Sequence, residues 1–81
     1  MEVYLTFIAK QNIEKLPRSD QKRITEKIEF YATQPDPLEF AEPLSGVDKY
    51  WLRVGVYRIR FEVLNNLIWV ITVKRRDEAY R

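Results

Sequence analysis

The spacing of apolar positions changes along the chain, and each change predicts an element. Residues 2–7 (Glu-Val-Tyr-Leu-Thr-Phe) alternate roughly and are rich in strand formers, which predicts a short first strand. Ile13 and Leu16 then lie three apart, on one face of a helix expected over Ile8–Leu16. Pro17 opens a second helix, where its missing N–H costs nothing. That helix is expected over Arg18–Thr33, with Ile24, Ile28 and Tyr31 at i, i+4 and i+7 as its apolar stripe. Pro35 and Pro37 end it, because proline cannot continue the hydrogen-bond ladder. The two helices form a hairpin with a very short hinge.

Residues 34–48 read as an extended crossing, with Leu38, Phe40 and Leu44 as anchors to the core and Gly46 in a turn. The period then becomes two. Lys49–Val54, Tyr57–Leu64 and Leu67–Val73 are expected as an antiparallel meander. Gly55-Val56 makes its first connection, and Asn65-Asn66 makes its second, since asparagine tolerates the positive φ of a two-residue hairpin turn. The first strand joins the same sheet. The expected fold class is therefore α+β: an N-terminal strand, a helix hairpin, and a meander, giving one four-stranded sheet with both helices on one face. Leu67–Val73 is apolar at nearly every position, which places it inside the sheet.

Strand geometry sends alternate side chains to opposite faces. Tyr57, Ile59, Phe61 and Val63 share one face, which the helices should cover. Arg58, Arg60 and Glu62 share the other, joined from the preceding strand by Trp51 and Arg53. Lys74, Arg75 and Arg76 follow the last strand, and Tyr80-Arg81 closes the chain.

Composition narrows the chemistry. The chain has 81 residues, enough for one domain over 1–81, and 14% aromatic residues argue that it folds. It has no cysteine and no histidine, so a thiol nucleophile, a zinc–thiolate site and the usual general base are excluded. No cofactor or metal is expected. The longest apolar run, Leu67–Ile71, is too short to span a bilayer. Glu2 stands where a signal peptide would carry basic residues and Lys10 interrupts the apolar stretch, so a cytoplasmic location is expected.

The net charge of +2 hides a strong asymmetry. Residues 1–48 hold six Lys/Arg and nine acids, a net −3, whereas residues 49–81 hold eight Lys/Arg and three acids, a net +5. A basic segment carrying Trp51 among arginines on an open sheet face suits a single-stranded polyanion. Guanidinium groups pair with phosphates, and aromatic rings stack on unpaired bases. The same pattern also describes a solvated basic face paired to Glu62, Asp77 or Glu78. Tyr57 reads as core and Arg60 as a surface or ion-paired residue.

The order of elements, together with Leu44-Ser45-Gly46, the run Leu52-Arg53-Val54-Gly55-Val56-Tyr57-Arg58 and the ending Val73-Lys74-Arg75-Arg76-Asp77-Glu78-Ala79-Tyr80-Arg81, resembles the RelE/ParE toxin superfamily. The resemblance covers nearly the whole chain. It implies a RelE-like toxin domain of a type II toxin–antitoxin pair, acting as a ribosome-dependent endoribonuclease, an mRNA interferase that blocks translation. Cleavage would proceed by attack of the 2′-OH on the adjacent phosphate, without metal. It further implies catalytic roles for Arg53, Arg58, Arg76 and Tyr80, and RNA contacts from Trp51, Arg60, Lys74, Arg75 and Arg81. The implied partners are a cognate antitoxin protein, in a toxin–antitoxin hetero-oligomer, and the ribosome with its mRNA.

Two departures matter. Many relatives read Gly-His-Arg where this chain has Lys74-Arg75-Arg76, and the best-known branch carries two lysines where this chain has Trp51 and Arg53. The general base is thus unassigned. Two other readings share the pattern: a ParE-like inhibitor of DNA gyrase, and a catalytically weak module that binds its antitoxin.

Overall fold

The last strand stands between the first strand and the rest of the sheet. The computed structural model describes residues 2–34, 42–43 and 49–75. In chain order the elements are β1 (Glu2–Leu5), α1 (Phe7–Glu14), α2 (Arg18–Ala32), β2 (Glu42–Pro43), β3 (Lys49–Val54), β4 (Tyr57–Leu64) and β5 (Leu67–Arg75). They build one mixed sheet in the order β1-β5-β4-β3-β2. β3, β4 and β5 form the expected antiparallel meander, and β1 pairs with β5 in parallel. The last strand thus lies inside the sheet, as its continuous apolar run predicts.

The α+β architecture matches expectation, with one addition. Glu42–Pro43 pairs antiparallel with Tyr50 and Trp51, so the sheet has a short fifth strand at its edge where four were expected. Leu38, Phe40 and Leu44 lie outside the described residues.

Both hairpin turns follow their residues. Asn65 and Asn66 adopt φ of 51° and 62°, the pair of positive angles that a type I′ turn requires. Gly55 has φ 58° while Val56 stays in the ordinary region, the pattern of a type II′ turn. A Cβ at Gly55 would also come within 3.1 Å of the Arg23 guanidinium, which α2 lays against this turn.

The first strand ends earlier than its alternation predicts. Thr6 leaves the strand to become the N-cap of α1, accepting the Ala9 N–H on its hydroxyl at 3.1 Å. The helix therefore starts at Phe7, one residue before the expected start, and ends at Glu14. Gln21 then reaches back from α2 and donates its amide to the Leu16 carbonyl at 2.8 Å, which fixes the hinge. Pro17 sits one position outside the helix, as the N-cap of α2 with φ −55° and ψ 148°.

Thr6 has a second task. Between Arg60 and Phe61 the β4–β5 register slips, so that Arg60 faces Thr72 while Phe61 faces Val70. Ile71 is the extra residue of a β-bulge and has no partner in β4. The Thr6 hydroxyl donates to the Ile71 carbonyl at 2.8 Å, and the Thr6 N–H donates to the Val70 carbonyl at 3.0 Å. Further along, where β1 no longer covers β5, Asn12 of α1 accepts the Val73 N–H at 3.0 Å. Side chains of the cap and of α1 thus continue the ladder that β1 begins.

The bulge also restores the core. Ile68 and Val70 face the helices, and strict alternation would then turn Val73 outward. With one residue inserted, Ile68, Val70 and Val73 are all buried. They join Leu52, Val54, Tyr57, Ile59 and Phe61 from the sheet and Ala9, Ile13, Ile24, Ile28 and Ala32 from the helices. Tyr57 is core, as expected, and its hydroxyl donates to the Asp20 carboxylate of α2 at 2.7 Å.

Thr6→Val removes the cap acceptor and leaves the Ile71 carbonyl without its donor. It is expected to cost about 2 kcal/mol in urea unfolding, whereas Thr6→Ser should stay close to the parent. Equal stability of the Val and Ser variants would show that the hydroxyl carries no weight.

Candidate nucleic-acid interface

The face of the sheet turned away from the helices can be read row by row from the strand register. Arg53 of β3 pairs with Arg58 of β4, and Arg58 pairs with Lys74 of β5. Three cations therefore lie side by side across three adjacent strands, at about 4.8 Å per strand. The next row is Trp51, Arg60 and Thr72; the one after it is Lys49, Glu62, Trp69 and Tyr4. Tyr4 and Trp69 stack with ring centroids 5.2 Å apart. The Tyr4 hydroxyl donates to Glu2 at 3.0 Å, and this hydrogen bond to a carboxylate pushes the phenol above its ordinary pKa.

Within the cationic row, Arg53 and Lys74 are exposed, whereas Arg58 retains only 9% of its accessible surface. Its guanidinium lies 5.4 Å from the centroid of the half-buried Trp51 ring. That cation–π contact fixes the plane of the guanidinium in advance of any ligand. No carboxylate forms an ion pair with Arg53 or Lys74 among the described residues, where Lys22–Glu26 on α2 is the salt bridge found. Like charges directly opposite across a ladder repel, which favours an anion in front of this row.

The structure separates the expected site residues into three groups. Trp51, Arg53, Arg58, Arg60 and Lys74 share the open face. Arg75 does not: it pairs with Tyr57 and belongs to the helix side, lining a cleft with Asn12, Lys15 and Leu16. Arg76, Tyr80 and Arg81 lie outside the described residues. The bulge at Ile71 is the reason that Lys74 and not Arg75 stands beside Arg58. A continuous apolar run from Leu67 to Ile71 carries no sign of where such a bulge falls, so sequence alternation cannot choose between them.

What can this surface do chemically? It can hold a phosphate by a bidentate arginine with two further cations beside it. Glu62 stands four residues from Arg58 on β4, roughly 13 Å away along the strand. What the row offers an anion is charge and orientation. The described residues also contain no group of three or more His, Cys, Asp or Glu that could hold a metal ion, and none of their helices is long and apolar enough to cross a membrane.

Comparison with known proteins agrees with this architecture. RelE1 of Methanocaldococcus jannaschii, which carries the RelE toxin name, is 33% identical over 76 residues, covering 88% of this chain and 84% of its own. The chain belongs to the RelE toxin family. No protein-family model matches it. The isolated E. coli RelE toxin has the same fold, with a TM-score of 0.78 at 18% identity over 98% of this chain and 94% of that one. A chain of the RelBE2 toxin–antitoxin complex from Mycobacterium tuberculosis superposes with a TM-score of 0.77 at 23% identity, over 93% and 96% of the two chains. For this RelE-family chain the cationic row is thus built on a shared scaffold.

Repulsion within the row gives a measurable consequence. Arg53→Gln should raise the melting temperature at low salt by the equivalent of about 0.5 kcal/mol, and the gain should shrink at high salt. A lowered melting temperature at low salt would mean that Arg53 is a net stabilising residue.

Proposed function

We propose that this chain is the toxin of a toxin–antitoxin pair and that it cleaves ribosome-bound mRNA through the Arg53–Arg58–Lys74 face. The observation that carries the reading is the buried Arg58, held over Trp51 in the centre of a row of three cations. The 2′-oxygen attacks the neighbouring phosphorus and the bond from phosphorus to the 5′-oxygen breaks. The 2′-hydroxyl loses its proton and the leaving 5′-oxygen gains one. The products are a 2′,3′-cyclic phosphate and a 5′-hydroxyl.

The phosphate gains negative charge between ground state and phosphorane. A fixed guanidinium with two flanking cations therefore binds the transition state more strongly than the substrate. Arginine is a poor acid or base near neutral pH, so the rate gain comes from positioning and electrostatics. The ribosome supplies an aligned mRNA and the route for the proton. Arg76 and Tyr80 keep the roles that family likeness gives them: the former stabilises the transition state or donates the proton, and the latter orients the nucleotide. Action on the ribosome places the protein in the cytoplasm.

The antitoxin is the second partner. The M. tuberculosis relative is seen in complex with one. For this chain an acidic or amphipathic segment fits, since it would neutralise the net +5 of residues 49–81.

Primer extension on ribosome-bound mRNA tests the activity. The wild type should leave defined cuts, and Arg58→Ala should slow them by roughly 10²–10³, the usual cost of one transition-state donor. Supercoiling inhibition without any cut would instead assign the chain to gyrase. Capture by the neighbouring gene product should slow as salt rises, because attraction between opposite charges steers the encounter. A salt-independent association rate in stopped flow would remove the electrostatic part of that account.

A further inference from the structure

Arg60 is the described residue whose buried side-chain nitrogen has no hydrogen-bond partner: its Nε finds no acceptor. Glu62 is its same-face neighbour on β4, yet no ion pair joins them. Its cross-strand neighbours on the open face are Trp51 and Thr72. A charged donor buried without an acceptor is costly, and a bound ion is one of the recognised reasons for a folded protein to keep one. Among the described residues no protein acceptor reaches this Nε; the atom itself is covered, but Arg60 is only half-buried, so an anion at the open face meets the outer Nη groups of the same guanidinium.

Position identifies the anion. Arg60 lies one row along β4 from Arg58, two residues or about 6.6 Å away. That spacing is comparable to the step between consecutive phosphates of a single strand. Trp51 stands opposite Arg60 on β3 and carries Arg58 over its ring, so the ring lies beside both arginine positions. We propose that Arg60 binds the phosphate adjacent to the scissile one, through its outer Nη groups. The RNA strand then runs along β4, from the Arg58 row toward Glu62 and Trp69. This rests on the reading of the open face as an RNA site and adds to it a second phosphate subsite and a strand direction. A regularly spaced polyphosphate chain matches two guanidiniums two residues apart better than the irregular carboxylates of a protein partner.

The test uses the whole chain and two uncleavable 2′-O-methyl oligonucleotides, a dinucleotide with one phosphate and a trinucleotide with two. Binding is followed by NMR at the arginine Nε–Hε signals. The trinucleotide should bind more tightly and move the Arg60 signal. Arg60→Gln should weaken the trinucleotide roughly tenfold, the order expected of a charge-assisted contact, and leave the dinucleotide unchanged. Arg60→Lys should recover only part of the loss, because it restores charge without the fork. Arg58→Ala should weaken both ligands. The melting temperature of Arg60→Gln should equal or exceed that of the wild type, which separates a lost contact from a lost fold. If Arg58→Ala weakens both ligands and Arg60→Gln weakens neither, the second subsite is wrong and the RNA face stands. If neither ligand binds the wild type, both readings fall. If Arg60→Gln spares the trinucleotide but weakens an acidic peptide, the acceptor is a protein carboxylate and the proposal is overturned.

Discussion

The Thr6 hydroxyl joins the two halves of this molecule. It accepts the Ala9 N–H to start α1 and donates to the Ile71 carbonyl at the bulge of β5. One oxygen therefore sets where the first helix begins and satisfies the residue that breaks the register of the central strand. The bulge needs this partner, because an extra residue inside a sheet carries backbone groups that the ladder does not pair. Parity along β5 follows from it. Val73 turns inward to close the core, Lys74 turns outward to join Arg58, and Arg75 goes to the helix side.

The open face shows the opposite tendency. A small domain has little stability to spare, yet this one sets Arg53, Arg58 and Lys74 opposite one another and buries an arginine Nε without an acceptor. Packing alone would favour apolar or oppositely charged residues there. Local arrangements that oppose folding are the ones expected where a surface is shaped for a ligand. Membership of the RelE family supplies the scaffold, and the row of cations is the feature on which the proposed RNA cleavage rests.

The helix side is conventional by comparison, and its polar contacts serve assembly. Asp20 takes the Tyr57 hydroxyl, Gln21 closes the end of α1, and Arg23 lies over the Gly55 turn. All three belong to the first two turns of α2. That end of the helix is thereby pinned to the β3–β4 hairpin that presents Arg53 and Arg58. Two of these contacts, Asp20 with Tyr57 and Arg23 with the Gly55 turn, join residues more than thirty positions apart, so no local motif shows them.

Local patterns sufficed for much of the fold. The Ile24/Ile28 stripe, the Tyr57/Ile59/Phe61 alternation and the Asn65-Asn66 turn are short-range signals, and each corresponds to the element found. They also separated Arg58 and Arg60 from the core, since alternation in β4 is unbroken. Three matters needed the assembled structure. The β2 edge strand is too short to have a period. The parallel docking of β1 on β5 depends on contacts more than sixty residues apart. The choice between Lys74 and Arg75 depends on a bulge inside an apolar run, where every residue type looks alike and only the competing demands of core, cap and ladder decide the register.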